Sequence, residues 1–194
     1  MPDNDPRDYA PLSPLAILEE VKRRPMVLYH NDPEDLQRLL KQALGKFADK
    51  AGYICESIEH ETEFFPPHPC FKAVASIADS KGRYVPWYMD MYDRDIKLSP
   101  LDKNEPPYRV YWFVDLRRWP LTERLPGDCP PLLADYLEAL VMLQNTKRER
   151  SAMMMTGSPQ ASELPSEQEL RQRIADLETE MEENKNMIVP ASYF

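Results

Sequence analysis

Residues 32–59 read DPEDLQRLLKQALGKFADKAGYICESIE, and within this stretch the hydrophobic pattern changes from that of a helix to that of a strand. Asp32 followed by Pro33 is typical of a helix N-terminus, because aspartate caps free backbone N–H groups and proline suits the first turn. Four apolar residues then recur at the spacing of one helix face: Leu36, Leu40, Ala43 and Phe47. Gly52 is placed to end the helix, and residues 53–59 are predicted to form a strand.

The remaining pattern extends this mixture of helix and strand. Residues 71–77 alternate between apolar and polar side chains, and residues 108–116 are rich in β-branched and aromatic residues. Pro86 favours a sheet edge or a bulge for the strand between them. A helical period returns at Pro130 and continues to about Lys147. The sequence therefore predicts an α+β fold, with a small antiparallel β-sheet or sandwich flanked by amphipathic helices and a coiled-coil-like C-terminal helix.

Composition along the chain suggests four segments. Residues 1–12 contain three prolines and no periodicity, which predicts an extended N-terminal arm. Residues 13–150 are predicted to form the core domain. Residues 151–166 are rich in Ser, Pro and Met and are predicted to be a flexible linker. Residues 167–194 are predicted to form an acidic C-terminal helix and tail.

The C-terminal helix carries a narrow apolar seam. Ser166 and Glu169 have the spacing of a capping box, which marks the start of the helix. The seam residues follow at alternating steps of four and three, interrupted at Asn184: Leu170, Ile174, Leu177, Met181 and Ile188. This 3.5-residue period is typical of a coiled coil, but it is too short to be stable alone. We therefore predict that these five residues form an oligomer or partner interface.

The overall composition excludes several classes of protein. The chain has 194 residues, and 42% of them are hydrophobic, so a packed core is expected and wholesale disorder is not. Its longest apolar run is far shorter than the ~20 residues that cross a bilayer, so no membrane association is predicted. The acidic N-terminus lacks the pattern of a secretory signal, and three cysteines without a disulfide or zinc spacing favour an intracellular protein with reduced thiols.

Nucleic-acid binding is disfavoured by a formal net charge of -9, which repels a polyanion at long range. Arg117 does lie near four aromatic residues of a kind that can stack on bases: Tyr108, Tyr111, Trp112 and Trp119. Aromatic residues in strands more often belong to a core or a protein interface, so direct contact with nucleic acid is not expected.

One short motif allows an enzymatic alternative. Asp79 and Lys81, with Glu63 as a second acid, have the residue types of a metal-dependent nuclease or hydrolase site. Asp79 and Lys81, followed by Gly82, also lie where a hairpin is expected to reverse direction. We favour the hairpin turn and predict that the chain is not an enzyme.

Two other clusters could in principle hold a metal. Three carboxylates lie close together after the predicted turn: Asp90, Asp93 and Asp95. They lack the glycine of a calcium loop and include a basic residue, which favours a solvated loop. A zinc site could be drawn from His60, His68 and Cys70 with one acid, but no tight ligand pair is present. We therefore predict no metal and no cofactor.

Residues 36–54, LQRLLKQALGKFADKAGYI, resemble the opening helix of virion proteins from the head–tail connector or neck of tailed bacteriophages. In those proteins a helix with Leu-Leu-x-x-Ala-Leu ends at Asp-Lys-Ala-Gly and leads into a β-rich body. The resemblance implies a homo-oligomeric structural subunit of the virion, assembled in the host cytoplasm and bound to portal-side or tail-side neighbours. It carries no catalytic residues. An alternative is an intracellular adaptor or regulator that binds its partner through the helix at 167–187.

Overall fold

A computed structural model describes residues 12–24, 31–52, 54–101, 103–126, 130–155 and 164–185. These residues form four α-helices and two three-stranded antiparallel sheets, which confirms the predicted fold class. The helices are α1 (Pro14–Arg23), α2 (Pro33–Lys50), α3 (Pro130–Met155) and α4 (Glu167–Glu183). The strands are β1 (Ile54–His60), β2 (Phe64–Phe65), β3 (Phe71–Ala78), β4 (Trp87–Met89), β5 (Ile96–Leu98) and β6 (Tyr108–Val114).

The chain divides into two compact units, which replaces the single core domain predicted for residues 13–150. The helical unit combines the described residues up to Gly52 with those between Trp119 and Lys185. The sheet unit contains the strands and is inserted between α2 and α3. Helices from both sides of this insertion share one core, so α4 belongs to the helical unit instead of forming a separate appendage.

Helix α2 begins and ends where the sequence predicts. The Asp32 carboxylate accepts hydrogen bonds from the backbone N–H groups of Glu34 and Asp35, at 2.9 and 3.0 Å. Gly52 has a φ of 87°, a left-handed conformation in which a side chain would be strained. The four residues of the predicted apolar face are all buried: Leu36, Leu40, Ala43 and Phe47.

Helix α3 lies at the centre of the helical unit, where it contacts α1, α2 and α4. Its buried residues cover several sides of the helix: Leu133, Ala134, Tyr136, Leu137, Ala139, Leu140 and Val141. A helix with apolar residues on several sides is typical of such a central position. The sequence predicts an amphipathic helix instead, because it does not show how many neighbours surround the helix.

Helix α3 also continues to Met155, about eight residues beyond its predicted end. The first five residues of the predicted linker, 151–155, are therefore helical. The Ser151 hydroxyl group donates to the Lys147 carbonyl oxygen at 2.9 Å, so this serine is accommodated within the helix. Residues 156–163 of the predicted linker and residues 1–11 of the predicted arm lie outside the described residues.

The sheet unit contains two sheets with the strand orders β1-β6-β3 and β2-β5-β4. The rings of Phe65 in β2 and Trp112 in β6 pack in a T-shaped arrangement, with centroids 6.1 Å apart. Pro86 directly precedes β4, which is an edge strand, as the proline predicts. Strand β5 was not predicted, because three residues are too few to establish a period.

Candidate protein-interaction surface

The residues predicted as an intermolecular seam lie largely inside the chain's own helical unit. Leu170, Leu177 and Met181 are buried, and Ile174 is half-buried. Helix α4 contacts both α2 and α3, so the seam finds its partners within the same molecule. Ile188 lies outside the described residues, and α4 ends at Glu183, before that position. The expectation that the seam requires a second molecule is therefore corrected.

Helix α4 is also held by polar contacts around Glu178. The Tyr136 hydroxyl group donates to one carboxylate oxygen of Glu178 at 2.8 Å, and the Lys46 ammonium group donates to the other at 3.1 Å. Lys50 pairs with Glu182 at 2.6 Å. Burial disfavours ionisation of Glu178, but the hydrogen bonds from Tyr136 and Lys46 outweigh it and lower the pKa of this carboxyl group. Burial and the contact with Glu178 raise the pKa of Tyr136.

Asp79 holds the turn after β3. One carboxylate oxygen accepts the backbone N–H groups of Lys81 and Arg83, at 2.9 and 2.8 Å. The other oxygen accepts hydrogen bonds from Arg83 Nε at 2.7 Å and from the side-chain amide of Asn104 at 3.3 Å. Burial opposes ionisation, but these hydrogen bonds together lower the pKa of Asp79 to about 2. Lys81 pairs instead with Glu105, so Asp79 and Lys81 have separate partners, and Glu63, the second acid of the nuclease alternative, is exposed.

Two of the three carboxylates at 90–95 contact one ammonium group. The Lys97 ammonium group contacts the Asp90 carboxylate and lies 3.2 Å from a carboxylate oxygen of Asp93. These hydrogen bonds raise the pKa of Lys97 and lower that of Asp90. Lysine thus supplies the positive charge that a metal ion would bring to the cluster. Among the residues that the structure describes, no group of three His, Cys, Asp or Glu side chains could hold a metal ion.

The histidines of the sheet unit take part in packing. His60 stacks on Phe65 with ring centroids 3.9 Å apart, and burial lowers the pKa of His60. The Nδ1 atom of His68 accepts the backbone N–H of Cys70 at 3.0 Å, while its Nε2 atom lies 3.1 Å from Glu56. The three residues considered for zinc therefore stabilise the sheet unit locally.

The aromatic residues near Arg117 do not form an exposed stacking platform. Tyr108, Trp112 and Trp119 are buried, and Tyr111 is half-buried. Trp119 is buried in the helical unit, and Tyr108 and Trp112 are buried in the sheet unit, as expected for aromatic residues in or next to strands.

Another set of aromatic residues is exposed on the small sheet. Phe64 of β2 and Tyr88 of β4 both lie opposite Lys97 of β5 in the strand register. Directly opposed residues share a face of an antiparallel sheet, so these three side chains form one row. Phe64 is 63% exposed and Tyr88 is 51% exposed. On the other face of the sheet, Phe65 and Ile96 are buried in the core.

The turn that joins β4 and β5 of the same sheet carries two more exposed side chains. Met91 is 90% exposed and Tyr92 is 99% exposed at its tip. Asp90 holds the turn, since its side chain accepts the Tyr92 N–H at 2.8 Å and its backbone N–H donates to the Asp95 carbonyl oxygen at 2.9 Å. We call Phe64, Tyr88, Met91 and Tyr92 the aromatic face.

The aromatic face is the candidate functional surface of the molecule. Groups of exposed large apolar side chains on one part of a surface are characteristic of protein–protein contact sites. The sequence contained a signal for it, because Met91 and Tyr92 stand next to each other within an acidic turn, but their exposure depends on the register of β4 and β5.

Comparison with protein-family models and with curated proteins finds no match to this sequence. No helix among the described residues is both long enough and apolar enough to span a membrane.

Proposed function

We propose that this chain is a non-enzymatic structural assembly protein that acts as a homo-oligomer through protein–protein contacts. The observation that carries the proposal is the aromatic face, where four large side chains are exposed on a sheet and a turn that hold them in place. Contact surfaces are enriched in tyrosine, phenylalanine and methionine, because such side chains bury much apolar area at a small cost in conformational entropy.

The setting that we propose is the head–tail connector or neck of a tailed-bacteriophage virion, with portal-side or tail-side proteins as neighbours. Support comes from the resemblance of residues 36–54 together with the local architecture. This segment forms a capped helix that ends at Gly52 and leads directly into β1, the arrangement that the resemblance implies. A gene neighbourhood with portal and tail genes on either side would support this setting, and its absence would contradict it.

The aromatic face replaces the C-terminal seam as the proposed interface. Leu177 and Met181 are already covered by the chain's own helices, so their burial contributes to folding and not to association. The exposed side chains of the aromatic face have no such cover within the described residues.

Multi-angle light scattering over a concentration series tests this proposal directly. We expect the wild-type chain to have a mass several times that of one chain, and electron microscopy to show closed rings. The Phe64→Ser/Tyr92→Ser variant should be monomeric with an unchanged circular dichroism spectrum. Leu101→Ser, which changes an exposed leucine outside the aromatic face, is the matched control and should leave the mass unchanged. A monomeric wild-type chain at all concentrations would overturn the proposal.

A further inference from the structure

The helical unit carries a second exposed apolar patch at the end of α3. Met154 is 67% exposed and Met155 is 90% exposed. Residues 147–155 contain three basic side chains and one acidic side chain. Lys147 pairs with Glu167 at 3.2 Å, and Arg150 donates to the Pro165 carbonyl oxygen at 2.9 Å. Arg148 pairs with Asp35 at 3.2 Å, and its side chain remains 49% exposed. We call residues 147–155 the helix-end patch, which is apolar and contains more basic than acidic side chains.

The surroundings of the aromatic face have the opposite charge. The segments that carry it, 61–64 and 87–98, contain five acidic and two basic residues. Lys97 pairs with Asp90 and Asp93, so this lysine offsets part of the negative charge of the segment. Glu61 and Glu63, next to Phe64, are exposed. The aromatic face is therefore apolar and negatively charged.

We infer that the aromatic face of one copy binds the helix-end patch of a second copy. This inference rests on the proposed homo-oligomer and identifies the two halves of its interface. A guanidinium group packs favourably over a tyrosine ring, and methionine sulfur makes favourable contacts with aromatic rings. The opposite charges of the two surfaces orient the contact and disfavour the pairing of either surface with itself.

A contact between two different surfaces has a consequence for the size of the assembly. Each copy that uses its aromatic face still offers its helix-end patch to another copy. Such head-to-tail contacts propagate until they close into a ring or extend into a filament. A contact of the aromatic face with itself would instead stop at a dimer.

Complementary variants separate these arrangements. Met91→Ser/Tyr92→Ser removes apolar contacts from the aromatic face, and Met154→Gln/Met155→Gln removes them from the helix-end patch. All four positions are exposed, so both variants should fold with unchanged circular dichroism spectra. We expect each variant alone to be monomeric by light scattering. Their equimolar mixture should form a one-to-one heterodimer and grow no further, because it contains one intact pair of surfaces.

The outcomes distinguish this inference from the proposed function. If the helix-end variant assembles like the wild-type chain, or if the mixture stays monomeric, the head-to-tail contact is wrong although the protein still self-associates. If the wild-type chain itself is monomeric, the proposed homo-oligomer is wrong, and the head-to-tail contact that rests on it is wrong as well. The variant Ala175→Ser, at an exposed position of α4 outside both surfaces, serves as the control and should assemble normally.

Discussion

At the residue scale, Asp79 shows how one buried carboxylate stabilises a turn. It accepts four hydrogen bonds from backbone and side-chain donors around the turn after β3. Replacement of Asp79 by alanine leaves these donors without their partner, and we expect a loss of about 1–3 kcal/mol in the free energy of unfolding. Urea titration measures this loss. Ser80→Ala, an exposed substitution in the same turn, is the control and should have little effect.

Asp79 also predicts a dependence of stability on pH. Its pKa is about 2 in the folded chain, below the value of about 4 expected for an unfolded aspartate. A carboxyl group whose pKa is lowered by folding stabilises the protein above its unfolded pKa, and this stabilisation is lost as the pH falls through the folded value. We therefore expect wild-type stability to fall between about pH 4 and pH 2. An equally steep decrease in Asp79→Ala would contradict this assignment.

Tyr136 and Glu178 form the second polar contact whose energy can be measured. Removal of the hydroxyl group in Tyr136→Phe should cost about 1–2 kcal/mol, since the charged acceptor loses one of its donors. Glu178→Gln keeps an acceptor oxygen for the tyrosine but loses the charge that attracts Lys46 and Lys50. Because the two residues are in direct contact, the double variant should lose less stability than the two single losses combined. Additive losses in thermal unfolding would show that the contact contributes little.

At the element scale, α4 behaves as an integral helix of the helical unit. Leu177 is 1% exposed, so Leu177→Ala should create a cavity and cost about 2–5 kcal/mol in the free energy of unfolding. This cost should be the same at every protein concentration, because the contact lies within one chain. The exposed substitution Ala175→Ser on the same helix should cost much less. If Leu177→Ala destabilised the protein only at concentrations where it associates, the seam would instead be an interface between two molecules.

At the scale of the whole molecule, the division into two compact units predicts two separable unfolding transitions. In a Trp119→Phe background, the remaining tryptophans, Trp87 and Trp112, both lie in the sheet unit, so their fluorescence reports that unit. Helical circular dichroism reports the helical unit. Leu177→Ala should then shift the dichroism transition to lower urea while the fluorescence transition moves less. Identical shifts of both signals would show that the chain unfolds as one cooperative body.

Local signals explain why most helix and strand positions were predictable. The caps at Asp32 and Ser166 and the glycine at 52 act through hydrogen bonds and backbone preferences within a few residues, so they are readable in the sequence. The candidate site was not predicted. Exposure of Tyr88 and Phe64 depends on the pairing of β2, β5 and β4, and such short strands carry no readable period.

The sequence by itself determined the α+β class, the helix caps and the amphipathic character of α2 and α4, because each depends on neighbours along the chain. Only the tertiary structure decided what covers each apolar surface. The seam of α4 has the same period whether its partner is a second molecule or the chain's own α2 and α3, and long-range packing selected the latter. Among the described residues, Met91 and Tyr92 remain exposed, which their sequence alone does not decide.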